Sequence, residues 1–117
     1  AVFVDASAES AAVVRKNVEA CGFSGAARVV HADFASYLAG NCGKFDLAFL
    51  DPPYRAGLLQ QALPLAASHM NPGGTVVCEH PFDEELPLDA AGFRKERSYR
   101  YGKVMLAVYR RKDVPET

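Results

Sequence analysis

Apolar positions along the 117 residues form short continuous runs separated by stretches of helical period. Residues 1–5 (AVFVD), 27–31 (ARVVH), 47–50 (LAFL) and 75–79 (TVVCE) have the length and composition of strands. Between the first two, Ala11, Val14, Val18 and Cys21 recur at helical spacing, with Ser7 as N-cap, Glu9 in the first turn and Gly22 as the stop. A short helix over 35–38 ends at Gly40. Residues 56–70 predict a third helix with Leu58, Leu59, Ala62, Leu63 and Ala66 on its inner side, kinked or started by Pro64. Asn71-Pro72-Gly73-Gly74 reads as a turn and 81–87 as an acidic loop. Residues 93–101 and 103–109 are expected to pair as an antiparallel hairpin with Tyr101-Gly102 at the turn, leaving 112–117 as a frayed tail. The order β-α-β-α-β-α-β followed by a β pair predicts an α/β fold: a parallel sheet with helices on both faces and a C-terminal antiparallel hairpin.

The run at 47–50 stops abruptly in Asp51-Pro52-Pro53-Tyr54. A continuous apolar run suits a strand buried on both faces, and neither proline can donate to a ladder. Asp51 is therefore expected at the carboxyl end of a central strand, where α/β sheets bind ligands. The Asp51 carboxylate and the Pro52 carbonyl are acceptors for an exocyclic amine, and the Tyr54 ring can stack on its planar base. Prolines hold the carbonyl in place before the substrate arrives. Asp5 and Asp33 also follow apolar strands. Asp5 at an early strand end can accept from both hydroxyls of a ribose, or cap a helix. Asp33 can accept from an adenine amine with Phe34 against the ring, or cap the next helix. His80 follows Glu79 at a strand end on the same expected rim; His31 reads as structural, and His69 stands at a helix end, where a cation is favourable.

Composition narrows the rest. Half of the residues are apolar and 23% are charged, which is globular composition for a single domain. No apolar run is long enough to span a membrane. Three widely spaced cysteines, with no CxxC pair, support neither a disulfide framework nor a zinc site. They read as core fillers in a reducing cytoplasm. No GxGxxG or GxxxxGK[ST] loop is present. The net charge of −1 hides an asymmetry: residues 92–117 carry 8 Lys and Arg against 3 Asp and Glu, while the rest is acidic. Arg94, Lys95, Arg97, Arg100 and Lys103 are candidate phosphate contacts on a nucleic acid, or a solvated strand pair.

Taken together, Phe3-Val4-Asp5 with Asn17, then Asp33, then FDLAFLDPPY with Gly57-Leu58, then Pro72-Gly73-Gly74, Glu79 and Arg100-Tyr101-Gly102-Lys103, resemble the RsmD-type family of small-subunit ribosomal RNA guanine-N2 methyltransferases. The resemblance covers about residues 2–110. It implies a Rossmann-like methyltransferase fold and S-adenosylmethionine as cofactor. It assigns Asp5 to the cofactor ribose and Asp33 to its adenine. It assigns Asp51, Pro52, Pro53 and Tyr54 to the target amine. It implies small-subunit ribosomal RNA or an assembly particle as the partner. The family's first strand, its Gly-rich loop and an N-terminal extension that contributes to RNA binding would precede residue 1. The chain thus resembles a truncated domain, residues 1–117, whose sheet would be split without that first strand. Alone it is expected to bind cofactor poorly and either to self-associate through exposed strand edges, to rearrange so that the two strands meet, or to persist as a piece of a larger folded chain. Three other readings stand beside it: a DNA adenine N6-methyltransferase, which shares the D-P-P-Y block; a protein glutamine N-methyltransferase, disfavoured by Asp at position 51; and a non-catalytic nucleic-acid-binding domain.

Overall fold

The computed structural model describes residues 1–40, 42–51 and 57–111. The chain divides into two compact units, Ala1–Cys42 and Gly43–Thr117.

The first unit is a β-α-β-α segment: β1 (Val2–Asp5), α1 (Ala8–Ala20), β2 (Arg28–His31) and α2 (Phe34–Ala39). β1 and β2 pair in parallel, Val2 opposite Arg28 and Asp5 opposite His31. α1 starts where expected, because the Ser7 side chain accepts from the Ser10 amide at 3.2 Å. It ends as the Gly22 and Phe23 amides bond the Glu19 and Val18 carbonyls, with Gly22 at φ 77°. That left-handed turn costs glycine nothing and any other residue something. Ala11, Val14 and Val18 form the inward stripe, but Cys21 does not join it. It is the C-cap and lies exposed.

The second unit contains β3 (Phe45–Leu50), α3 (Leu58–Ala67), β4 (Met70–Pro81), β5 (Asp89–Ala90), β6 (Phe93–Tyr101) and β7 (Val104–Arg111) in a sheet of order β3-β4-β7-β6-β5. β3 and β4 are parallel; the other pairs are antiparallel. The expected hairpin is present as β6–β7, closing Tyr101 against Val104 around Gly102 at φ 63°. The parallel strands form two separate ladders, β1–β2 in the first unit and β3–β4 in the second.

α3 supplies the core on one face of this sheet. Leu59, Leu63 and Ala67 pack with Met70, Val76, Cys78, Leu86, Ala90, Phe93, Ala107 and Tyr109. Ala62 and Ala66 are also buried, as the spacing predicts, while Leu58 is only half-buried. The helix is shorter than 56–70 and carries Pro64 within it rather than at its start. The acidic 81–87 loop is strapped over this core. Leu86 is buried in it, the Tyr109 hydroxyl donates to the Pro87 carbonyl at 2.5 Å, and Lys95 Nζ donates to the Leu86 carbonyl at 3.4 Å. Burial, reinforced by Glu84, pushes the Cys78 thiol up to about 12, so this cysteine is a core filler without thiolate character.

Two expectations fail here. The Asn71–Gly74 stretch does not precede the strand but bulges within β4, which spans Met70–Pro81. Phe45 pairs with Met70 and Leu47 with Thr75, so the extra residues loop out between two ladder contacts, tied by Asn71 Nδ2 to Asp46 Oδ1 at 2.8 Å. β3 is also not buried on both faces. Ala48 and Leu50 face the α3 core, whereas Leu47 and Phe49, on the other face of the strand, are 66% and 57% exposed.

The bulge sets a sharp steric test. A Cβ on Gly74 would sit 3.0 Å from the Asn71 carbonyl and 3.2 Å from the Asp46 carbonyl, both backbone, whereas one on Gly73 meets nothing within 4 Å. Gly74→Ala is expected to destabilise by about 1–3 kcal/mol through overpacking, and Gly73→Ala to change little. Thermal melts of the two variants check this; equal melting temperatures would contradict the packing at the bulge.

Candidate functional site

In the first unit, parallel pairing puts the carboxyl ends of β1 and β2 on one edge. Asp5 closes β1, and Asp33 follows β2 by two residues. That edge is knitted together locally. The Ala32 amide donates to the Asp5 carbonyl at 3.0 Å, and His31 Nε2 lies 3.0 Å from the Ala6 carbonyl. His31 therefore bridges from the end of β2 to the turn that leaves β1. That structural role fits its strand-end position.

Asp5 is half-buried and accepts from the Ser7 amide through Oδ1 at 2.8 Å. Its Oδ2 has no partner among the described residues. Asp33 is the N-cap of α2: Oδ1 accepts from the Ser36 amide at 2.9 Å and Oδ2 from the Ser36 hydroxyl at 2.8 Å. The Ser36 amide, then its hydroxyl, hold the Asp33 carboxyl below the usual range. The capping role open for Asp33 is thus occupied. Each oxygen still keeps lone pairs for a further donor. Phe34 starts α2 and is half-buried beside this edge. Ser7 and Ser36, which aim the two carboxylates, were not singled out for that role; the short spacings Asp-x-Ser and Asp-x-x-Ser are the signal for them.

In the second unit, Asp51 stands one residue beyond β3, exposed and without a partner among the described residues. Pro52, Pro53 and Tyr54 lie outside the described residues. His80, at the end of β4, is turned into the α3 core and is 4% exposed. Its Nδ1 is 2.9 Å from the Pro81 carbonyl, and its Nε2 has no partner among the described residues.

The basic residues of the hairpin fall on both faces of the sheet. Lys95 and Arg100 lie on the α3 side, opposite Tyr109 and Met105. Arg100 sits 4.6 Å over the Phe82 ring and donates to the Gly102 carbonyl at 2.8 Å. Arg94 and Arg97 lie on the other face, opposite Arg110 and Val108. Lys103 is exposed at the turn. Among the described residues, no His, Cys, Asp and Glu cluster could hold a metal ion, and no helix is long and apolar enough to cross a membrane.

Strands whose carboxyl ends carry acids and lead straight into helices, completed by an antiparallel hairpin, define a Rossmann-like methyltransferase fold. Solved structures agree on the fold. A conserved hypothetical protein of Streptococcus pyogenes superposes with a TM-score of 0.86 at 23% identity, over 95% of this chain and 71% of that one. A ribosomal protein L11 methylase of Lactobacillus delbrueckii superposes with a TM-score of 0.79 at 24% identity, over 96% and 57%. The chain belongs to the family described as Conserved hypothetical protein 95, whose model matches residues 1–110. It is 29% identical over 90 residues to "Ribosomal RNA small subunit methyltransferase D" of Escherichia coli K12, covering 75% of this chain. The chain spans about half the length of the curated relatives it matches, 46% in this case.

Proposed function

We propose that the protein is an S-adenosylmethionine-dependent methyltransferase acting on the exocyclic N2 of a guanine in small-subunit ribosomal RNA. The observation that carries this reading is the family match over residues 1–110, which takes in Asp5, Asp33 and Asp51 together. The name of the Escherichia coli relative supports the RNA substrate.

The residues present fit the adenosine half of the cofactor. Asp5 keeps one carboxylate oxygen open, which suits a ribose diol. Asp33 is anchored by Ser36 in a fixed orientation, which suits an exocyclic amine, and Phe34 adds an aromatic face beside it. When bound, the cofactor supplies a methyl group already activated on a sulfonium. The chain's work is then alignment and electrostatics. The Asp51 carboxylate, with the Pro52 carbonyl, would accept both hydrogens of the guanine amine. This draws the nitrogen lone pair out of the ring and stabilises the positive charge it develops. Tyr54 would stack on a base that has left its helix, and Pro53 would stiffen the loop. Arg94, Lys95, Arg97, Arg100 and Lys103 would contact phosphates, which position the RNA rather than read it.

Labelled cofactor, small-subunit particles and double-stranded DNA offered together test this reading. Label in the ribosomal RNA is expected. Label in adenines of the DNA would support the adenine N6-methyltransferase instead, and binding without any transfer would support a non-catalytic domain.

A further inference from the structure

We propose that the face of the β6–β7 hairpin turned away from α3 is a stacking platform for unpaired bases of the RNA, with Tyr99 and Tyr101 as its surface. The proposal rests on the RNA reading above and adds to it where the strand meets the protein and by what chemistry.

Tyr99 and Tyr101 are alternate residues of β6, so both rings project from one face, about 7 Å apart along the strand. They are 42% and 64% exposed, so two neighbouring ring surfaces on one strand are open to solvent. Across the ladder they stand over Leu106 and Val104 of β7, which are half-buried and form an aliphatic floor. Two rings at this spacing can each take the face of one splayed base, a mode sheets use for single strands irrespective of sequence.

The cations on the same face complete the case. A bulge between Lys95 and Arg97 inserts Glu96, so Arg94 and Arg97 share the tyrosine face although they are three apart. Arg97 Nη1 donates to the Tyr99 hydroxyl at 3.4 Å, which places a guanidinium directly beside the platform. Arg94 and Arg110 are held by Asp89 at 3.3 Å and Glu96 at 3.5 Å, in pairs that are about half exposed or more. Exposed pairs of this kind are worth little, so a phosphate can displace the carboxylate. On the opposite face, Arg100 and Lys95 already have partners within the chain: the Phe82 ring, the Gly102 carbonyl and the Leu86 carbonyl. Exposed aromatics rimmed by arginines fit a polyanion carrying flat bases better than an apolar protein surface.

The test uses the full-length protein with Tyr99→Leu/Tyr101→Leu, which keeps bulky residues on the strand. Binding of a fluorescein-labelled unstructured RNA of about ten nucleotides, within single-strand site sizes, is followed by anisotropy at several salt concentrations, beside a duplex of the same sequence. The double variant is expected to bind the single strand roughly 10–100-fold more weakly with an unchanged salt slope, the loss of stacking without loss of charge. Arg94→Gln/Arg97→Gln is expected to reduce the slope by roughly two. Tyr101→Leu alone, at the exposed end beside the turn, gives part of the same loss and keeps the test open if the double variant does not fold. Wild-type affinity in the folded tyrosine variants, or an equal loss on the duplex, overturns the platform. Methyl transfer by the wild-type protein is measured alongside. If it methylates ribosomal RNA while the variants bind normally, only the platform falls. If it binds the strand through the tyrosines yet methylates no RNA, only the functional reading falls.

Discussion

Asp51→Ala is expected to slow methyl transfer to small-subunit particles by on the order of 10²–10³ while leaving cofactor affinity nearly unchanged. The size follows from what the side chain would do. A guanine N2 is a poor nucleophile because its lone pair is delocalised. Acceptors fixed around the amine stabilise charge that appears only as the new bond forms. Removing one such preorganised partner acts on the rate and not on ground-state binding. Among the described residues nothing leans on this side chain, and Asp51 is exposed, so the variant should fold as the wild type does. Single-turnover transfer and cofactor titration, run on the same preparations, check the split. Unchanged turnover would remove Asp51 from the reaction.

Asp5→Ala should do the reverse. A charge-assisted hydrogen bond to a hydroxyl is worth roughly 1.5–3 kcal/mol, which is about 10–100-fold in affinity. Cofactor binding is expected to weaken by that factor, and turnover at saturating cofactor to recover. One complication is local. Asp5 also accepts from the Ser7 amide, at the residue that caps α1. Asp5→Asn retains an acceptor for Ser7 but not the charge. Helical content of the two variants then separates a fraying α1 from a lost ribose contact. Calorimetric titration with wild-type affinity in both variants would contradict the assignment.

The order of elements was legible because each boundary carries local chemistry. Ser7 caps α1, Gly22 ends it, Asp33 caps α2, and Gly102 turns the final hairpin. The inner stripe of α3 followed from its period, and Pro64 was absorbed within the helix. What stayed hidden is non-local. Whether Asn71–Gly74 precedes a strand or bulges inside it depends on Phe45 pairing with Met70, a contact that no local signal encodes. The exposure of Leu47 and Phe49 depends on what covers their face, not on their own run of apolar neighbours. The two-residue β5 has too little sequence to announce itself.

The candidate site shows the same division. Asp5, Asp33 and Asp51 were legible as strand-closing acids: Asp5 ends β1, Asp33 follows β2 by two residues and Asp51 follows β3 directly. The serines that orient Asp5 and Asp33 came only from the hydrogen bonds. The five basic residues read from composition as one patch. Strand alternation, shifted by the Glu96 bulge, sorts Arg94, Lys95, Arg97 and Arg100 onto two faces with different neighbours and leaves Lys103 at the turn.

The central claim is the identity of the methylated atom, and nucleoside analysis of the product tests it most directly. Small-subunit particles from cells lacking the enzyme, incubated with the full-length protein and labelled S-adenosylmethionine, are digested to nucleosides and separated. The account predicts that the label elutes as N2-methylguanosine. Label in N6-methyladenosine, in a ring-methylated guanosine, or in protein alone would contradict it.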